Sequence, residues 1–256
     1  AATIDVAAGT FTDAAGNNNT ATTNTHSLSF DGVDDWVDIP DLGQYNNFTI
    51  EIDVKNQLIY DNRYGGIFGT RTWGSGKFAF QIIGNNIPGV TEIGGELSVV
   101  VDGGSQVISQ TNFHSDALNQ WTHIAVTYEA GNIMKLFING VLEHDSTANN
   151  VAVDLTNLSL GDLHTWDVRY FDGLFDEISI WNEALTADEI TALYNSGTAL
   201  DARTNSGDYA STANLVGYWK MEDGSGTTLT DVSGYGNDGT INGASWTTGV
   251  LSTSYD

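Results

Sequence analysis

Short runs in which apolar and polar residues alternate recur along this chain, and each of them predicts a β-strand. The clearest is FTIEIDV at residues 48–54, where every second side chain is apolar. Asn139-Gly140 lies between two such runs and predicts a type I′ hairpin, and Gly103-Gly104 predicts a second hairpin. Regularly spaced strands with turn glycines between them indicate an all-β chain folded as an antiparallel β-sandwich.

One short helix is predicted near residues 186–196. The side-chain oxygen of Thr186 can accept a hydrogen bond from a first-turn N–H, and Glu189 can complete a capping box. Gly197 follows the last apolar residues of this helix, where glycine ends a helix most easily.

The strand before this helix carries a carboxylate in an apolar pattern. Leu174, Ile178 and Ile180 share one face, and Asp176 has the same parity. A carboxylate that points toward a core needs backbone N–H donors, a basic neighbour or a cation. Asp176 is therefore a candidate metal ligand.

The charge of the chain excludes several kinds of partner. Its 256 residues include 33 acidic and 8 basic residues and no cysteine, with a formal charge of −25. Such a surface repels nucleic acid and anionic membranes, while its carboxylates can attract divalent cations. The apolar runs are all shorter than the ~18 residues of a membrane span, so we expect no membrane insertion.

Several stretches, in this order along the chain, resemble the laminin-G-like (pentraxin-like) branch of the concanavalin A-like lectin/glucanase superfamily, as found in secreted proteins of marine bacteria. They are SLSFDGVDDWVDI, FTIEIDV, WTHIAVTYEAGNIMKLFINGVLE, LSLGDL and GLFDEISIWNEALTADEITALYNSG. The resemblance implies a jelly-roll sandwich that binds glycans, proteins or calcium, often as an accessory module beside other domains of the same polypeptide. Fold alone does not choose among these ligands.

The resemblance also suggests how the chain is divided. We expect residues 26–256 to form the laminin-G-like sandwich, with the C-terminal segment 214–256 completing it rather than beginning another copy. Residues 1–25 are predicted to be a lead-in strand or the end of a preceding Ig-like module.

The catalytic patterns of the superfamily are broken in this chain. Laminarinase-type hydrolases carry E-x-D-x-x-E on one strand, and here Glu51 and Asp53 are followed by Asn56 at the second acid position. The Gln-x-His pattern of the alginate-lyase branch fails as well, because Gln81 is followed by Ile82 and Ile83, with no histidine at the third position. We therefore expect no enzyme activity, and we interpret Glu51 and Asp53 as a solvated sheet face.

Calcium is the predicted cofactor, because it prefers carboxylate and carbonyl oxygens in turn-rich loops. The candidate ligands are Asp31, Asp34, Asp176, Asp231 and Asn237. Asp31 has an Asx-turn as its alternative role, and Asp231 and Asn237 have loop capping.

Exposed aromatic side chains flanked by polar groups are typical of glycan sites. Two loops supply such residues, and the superfamily layout places these loops side by side. The predicted ligand-binding residues are Tyr60, Tyr64, Arg71, Trp73, His164, Trp166, Asp167 and Arg169. The alternative for Trp73 and Trp166 is that they cap the core edge. Trp36 lies in a strand pattern and is predicted to be structural.

The sequence therefore favours a non-catalytic carbohydrate-binding module of a larger secreted protein, stabilised by calcium and binding a polysaccharide or other glycan. The alternatives are a protein–protein or matrix adhesion domain and a divergent polysaccharide hydrolase or lyase.

Overall fold

The computed structural model describes residues 26–72, 74–89, 94–101, 105–163 and 169–248. Within these residues the strands are β1 Ser27–Asp31, β2 Trp36–Ile39, β3 Gly43–Tyr45, β4 Asn47–Asn56, β5 Gly65–Thr70, β6 Phe78–Ile82, β7 Glu96–Val101, β8 Ser105–Asn112, β9 Trp121–Glu129, β10 Ile133–Ile138, β11 Val141–Thr147, β12 Val153–Leu155, β13 Leu158–Leu160, β14 Asp172–Trp181, β15 Leu215–Trp219, β16 Thr228–Leu229, β17 Gly239–Asn242 and β18 Ser245–Thr247. The helix α1 spans Ala187–Tyr194, and short 3₁₀ turns span Asn195–Gly197 and Thr212–Asn214.

These strands form two antiparallel sheets stacked as a sandwich. The first sheet has the order β11–β10–β9–β4–β14–β1–β18, and β15 also pairs with β14. The second has the order β16–β17–β2–β13–β5–β6–β7–β8, and β3 pairs separately with β12. The predicted all-β sandwich with one short helix is confirmed.

The two predicted hairpins are also confirmed. β10 pairs with β11, and Asn139 and Gly140 between them have φ of 49° and 73°, as a type I′ turn requires. β7 pairs with β8, although the turn at residues 102–104 lies outside the described residues. β1 and β2 belong to different sheets, so the chain passes from the first sheet to the second at Asp31-Gly32 and does not form a hairpin there.

The sandwich core is built from the inward side chains of both sheets. Aromatic rings interlock near its centre: Phe171 stacks on Phe175 with ring centroids 4.3 Å apart, and Phe30 meets Phe175 edge-on at 4.9 Å. Such pairs contribute about 0.5–1.5 kcal/mol each beyond the area they bury.

A bulge in β14 changes which residues face this core. Asp176 pairs with Asp53 of β4, the pairing then skips to Ser179, and Glu177 adopts a φ of 46°. Phe175 faces the core before the bulge, and Ile178 and Ile180 face it afterwards. The predicted parity of Asp176 was therefore wrong, because its neighbour Phe175 occupies the inward side.

Asp176 thus lies on the outer face of the first sheet, and that face is covered. Helix α1 and the segment after it pack there around Trp181, forming a second apolar cluster. Polar residues fill the rest of the covered face, and the charged ones are Glu51, Asp53, His123, Asp176 and Glu177, each less than 5% exposed. The predicted solvated face at Glu51 and Asp53 was wrong for this reason.

The helix is capped as predicted at its start. Thr186 accepts from the N–H of Glu189, and the Glu189 carboxylate accepts from the N–H of Thr186. The predicted stop at Gly197 is two residues late, because Asn195 takes the left-handed conformation with φ of 43°.

The C-terminal segment adds strands to both sheets. β15 pairs with β14 and β18 with β1 in the first sheet, and β17 pairs with β2 in the second. Residues 1–25 and 249–256 lie outside the described residues.

Candidate functional site

The outer face of the second sheet carries a polar, aromatic-lined cavity. On β2, Val37 and Ile39 point into the core, so Trp36 and Asp38 point outward. A cavity of about 190 Å³ opens beside them, lined by Trp36, Arg71, Asp162 and Tyr170. We call this the Trp36 pocket.

Arg71 occupies the middle of the Trp36 pocket. Its Nη1 lies 2.9 Å from Oδ1 of Asp38, and its Nη2 lies 3.6 Å from Oδ2 of Asp162. The guanidinium also lies over the Trp36 ring, 5.0 Å from the centroid. The Nε of Arg71 is buried and makes no hydrogen bond to any described residue. Since this atom is closed to solvent, the part of Arg71 that a ligand can contact lies elsewhere on its side chain, which is 23% exposed.

Two glycines allow the segment after β13 to lie on this sheet face. A Cβ on Gly66 would lie 2.4 Å from the carbonyl oxygen of Arg169, and one on Gly69 would lie 2.7 Å from Leu163. The segment is closed at its base, where the N–H of Phe171 donates to the carbonyl of Gly161. This close approach brings Asp162 and Tyr170 beside Arg71.

An acidic loop borders the same pocket. Carboxylate oxygens of Asp31, Asp34 and Asp35 lie within 4.8 Å of one another. Burial raises the pKa of Asp35, and the nearby charges of Asp31 and Asp34 raise it further. Burial raises the pKa of Tyr170 as well, followed by the charges of Asp162 and Asp34, so Tyr170 lies near both the pocket residue Asp162 and the acidic loop. Asp172, whose pKa is raised by burial and then by Asp31, adjoins the loop from β14.

Of the predicted glycan-binding residues, Arg71 lines the Trp36 pocket. Tyr64 and Arg169 meet nearby, with the Arg169 guanidinium 4.5 Å from the Tyr64 ring centroid and its Nη1 2.6 Å from Oε1 of Gln81. The two predicted loops therefore do meet on one surface. The remaining predicted positions Trp73, His164, Trp166 and Asp167 lie outside the described residues.

Tyr60 cannot be a stacking platform, and that prediction was wrong. The side chain is fully buried, and its hydroxyl accepts from the N–H of Asp172 at 2.9 Å. Gly65 makes room for it, since a Cβ there would lie 2.3 Å from the Tyr60 ring. A tyrosine between strands and next to glycines thus packs into the core.

Among the predicted metal ligands, Asp31 and Asp34 lie together in the acidic loop. Asp31 also forms the alternative Asx-turn, since its Oδ1 accepts from the N–H of Val33 at 2.9 Å. Asp176 belongs to no group of three acidic or histidine side chains within metal-binding reach in the described part of the chain.

Asp231 and Asn237 have the alternative role of loop capping. Oδ1 of Asp231 accepts hydrogen bonds from the N–H groups of Tyr218 and Ser233. Oδ2 accepts from the Ser233 hydroxyl and from the N–H of Asn237. The Asn237 side chain donates to the carbonyl of Val216. The Asp231 carboxylate thus holds this loop through four hydrogen bonds.

The sequence interpretation missed Trp36, Asp38, Asp162 and Tyr170 as site residues. The outward direction of Trp36 and Asp38 could have been derived, because Val37 and Ile39 are the apolar partners in the same alternation. Asp162 and Tyr170 had no local signal, because their position depends on the segment folding back over Gly66.

The E-x-D motif on β4 does not line an open groove. Glu51 is 3% and Asp53 2% exposed, beneath the helix layer. Burial alone would lower the pKa of His123. The Glu51 carboxylate, whose Oε2 lies 3.5 Å from Nε2 of His123, and then the charge of Asp53 outweigh the effect of burial, so the pKa of His123 is raised. A glycosidic bond cannot reach carboxylates covered in this way.

Comparison with known proteins shows the family and the fold of this chain. The family model Laminin_G_3, of the concanavalin A-like lectin/glucanases superfamily, matches residues 30–191. A 78-residue stretch is 36% identical to the human adhesion G-protein coupled receptor D1, covering 29% of this chain and 9% of the receptor.

Two solved structures share the fold over most of the chain. A putative carbohydrate binding protein from Bacteroides ovatus aligns with a TM-score of 0.69 and 20% identity, over 91% of this chain and 61% of that one. A heptameric SAP-like pentraxin from Limulus polyphemus aligns with a TM-score of 0.55 and 14% identity, over 87% and 97%. The chain thus spans less than two thirds of the Bacteroides protein and under a tenth of the receptor. Across the described ranges, every helix is too short or too polar to cross a membrane.

Proposed function

Because this chain belongs to the laminin-G-like family of the concanavalin A-like lectin/glucanase superfamily, we propose that it is a non-catalytic carbohydrate-binding module of a larger extracellular protein. The observation that carries this proposal is the Trp36 pocket on the outer face of the second sheet. The structural likeness to a putative carbohydrate binding protein supports the fold on which the pocket is built.

The chemistry of the Trp36 pocket suits a sugar. Sugar rings present apolar C–H faces to aromatic side chains and hydroxyls to charged or polar groups. Here Trp36 and Tyr170 supply aromatic surface, and Arg71 and Asp162 supply a donor and an acceptor. The Asp38 side chain beside Arg71 is 49% exposed and gives ligand hydroxyls a further polar group to contact.

The non-catalytic part of the proposal rests on the carboxylates of β4. Glu51 and Asp53 are covered by the helix layer, and Asn56 stands where a hydrolase would carry its second acid. We also propose that residues 26–256 act as one unit, with neighbouring modules of the same polypeptide attached to it.

A polysaccharide array tests the function. The wild-type chain should bind at least one glycan, and Trp36→Ala and Tyr170→Ala should lower its affinity roughly 10-fold or more, since burying an aromatic against a ligand is worth roughly 1.5–3 kcal/mol. Tyr235→Ala is the matched control, because Tyr235 is 66% exposed and lies outside the pocket. Retention of no glycan by a folded chain would reject the proposal and favour the protein-adhesion alternative.

We propose that calcium binds at the acidic loop. The carboxylate oxygens of this loop lie within 4.8 Å of one another, which is about twice the calcium–oxygen distance of about 2.4 Å, so small side-chain adjustments would bring all three onto one ion. Asp31, Asp34 and Asp35 would hold the ion, which would offset the repulsion among their carboxylates. The ion would also fix the loop from which β2 and Trp36 begin.

Thermal melting tests the metal. An ion at 100 times its Kd stabilises the folded state by about 2.7 kcal/mol, so calcium should raise the Tm and EDTA should lower it. Asp34→Asn should abolish this shift, whereas Asp61→Asn, an exposed carboxylate outside the loop, should keep it. A midpoint that is the same in calcium and in EDTA would contradict the metal proposal.

A further inference from the structure

We infer that the Trp36 pocket selects a neutral sugar unit and rejects uronates and sulfated sugars, an inference that rests on the proposed function. The inference rests on the arrangement of charges around Arg71. Among the residues that line the pocket Arg71 is the cation, and it already contacts the carboxylates of Asp38 and Asp162.

The positive charge of Arg71 is balanced before any ligand binds. Asp38 contacts it at 2.9 Å and Asp162 at 3.6 Å. The acidic loop adds three more carboxylates, close enough for the charge of Asp34 to act on Tyr170. Arg63 adds one cation, since its Nη1 donates to the carbonyl of Gly32 in that loop at 3.2 Å. Among the described residues two arginines thus stand among these five carboxylates, and a divalent ion on the acidic loop would still leave the negative charges in excess. An anionic sugar would enter a negative potential, on a chain whose formal charge is −25.

A neutral hydroxyl meets no such barrier and can use both kinds of group. Oδ2 of Asp38 already accepts from Trp36 Nε1 at 3.2 Å and from Asn242 Nδ2 at 3.1 Å. The Asp38 side chain is 49% exposed, so the lone pair of Oδ1 that Arg71 does not use can accept from a ligand hydroxyl. The terminal Nη atoms of Arg71 carry N–H groups beyond those directed at Asp38 and Asp162, and these can donate to a hydroxyl or ring oxygen. A group that both donates and accepts therefore satisfies this pair, whereas a carboxylate or sulfate can only accept.

The volume limits how much of the glycan the pocket holds. At about 190 Å³ it is smaller than the roughly 300–1,000 Å³ of pockets that enclose drug-sized ligands. We infer that a single sugar unit enters between Trp36 and Tyr170, and that the rest of the glycan lies along the sheet surface.

Matched pairs of polysaccharides test the selectivity. Native uronans are compared with their carboxyl-reduced forms, and native sulfated galactans with their desulfated forms, alongside neutral glucans, xylans, mannans and arabinans. Affinity gels run with and without calcium should show retention by neutral members only. Because no ion pair with the ligand is involved, the retention should change less than about 2-fold between 50 and 500 mM NaCl.

A gain of binding provides the sharper test. Asp38→Asn removes one of the two negative charges that neutralise Arg71. The anionic member of a polysaccharide pair should therefore be retained by this variant at low salt. Affinity for the neutral ligand should fall roughly 10-fold, as expected for losing a hydrogen bond to a charged group. Asp208→Asn removes one exposed carboxylate outside the pocket and should change neither result.

The outcomes separate the inference from the proposed function. If an anionic polysaccharide binds the wild-type chain as tightly as its neutral counterpart, or if retention falls steeply with salt, the neutral class is wrong and glycan binding stands. If Asp38→Asn leaves both affinities unchanged, the pocket is not the site of selection. If neither member of any pair binds, the proposed function itself fails.

Discussion

Glu177 gives a stability prediction whose sign and size follow from its surroundings. It lies in the β14 bulge, 4% exposed, and accepts a hydrogen bond from the Tyr218 hydroxyl. Burial raises its pKa from 4.5 to about 8, an effect that Lys220 opposes and that the carboxylates of Asp53 and Glu51 reinforce. At neutral pH the folded chain therefore holds this side chain as a neutral acid.

The sign follows from proton linkage. Between pH 4.5 and about 8 the folded state keeps a proton that the unfolded state releases, so stability falls as pH rises through that window. At about 1.36 kcal/mol per pH unit, this window amounts to about 5 kcal/mol. That is a large share of the roughly 5–15 kcal/mol that stabilises a typical domain.

Glu177→Gln removes the ionisation and keeps the shape. Urea unfolding followed by tryptophan fluorescence should show the variant close to wild type at pH 5. By pH 8.5 the variant should be more stable by several kcal/mol, up to about 5. Glu129→Gln, a half-exposed position on the same sheet, corrects for removing one negative charge from an acidic chain. A stability difference between Glu177→Gln and wild type that stays constant from pH 5 to 9 would refute the reasoning.

Two further substitutions test the packing that supports the site and the helix layer. Gly66→Ala should cost about 1–3 kcal/mol and also weaken glycan binding, because its Cβ would push against the carbonyl of Arg169 and displace the segment carrying Asp162 and Tyr170. Gly234→Ala, where a Cβ meets open space at a φ of 97°, should cost backbone strain of about 1 kcal/mol but leave binding intact. Thr186→Ala should lower the free energy of unfolding by about 1 kcal/mol, and Thr186→Ser should restore it, both measured by urea unfolding.

The parts of the fold that depend on nearby residues could be predicted from the sequence. The Thr186–Glu189 capping box and the Asn139-Gly140 turn are set by residues within four positions of one another. The bulge at Glu177 could not be predicted, since it occurs where β14 exchanges one neighbour, β1, for another, β15. Its consequence was large, because it reversed the expected direction of Asp176.

The candidate site likewise has a part that could be predicted from the sequence and a part that could not. Alternation on β2 was sufficient to direct Trp36 outward, but a tryptophan in a strand pattern looked structural. Arg71 was predicted as a polar neighbour of the loop aromatics, and its partners were not predicted, because Asp38 and Asp162 are distant in sequence. The pairing of Ser159 with Asp38 fixes β13 beside β2, and this brings Asp162, two residues after β13, to the pocket.

The pairing of β1 with β18 also determines how the module would respond to mechanical load. Ser27 lies opposite Thr247, so the first and last described strands leave the sandwich side by side at one edge. Antiparallel hydrogen bonds run perpendicular to the strands, so tension applied through both ends would open this pair one bond at a time. The module would then yield by unzipping at a low force and not by shearing a whole strand. Since β17 directly precedes β18 and pairs with β2, continued unzipping would next load the strand that carries Trp36, so the Trp36 pocket would open early under tension.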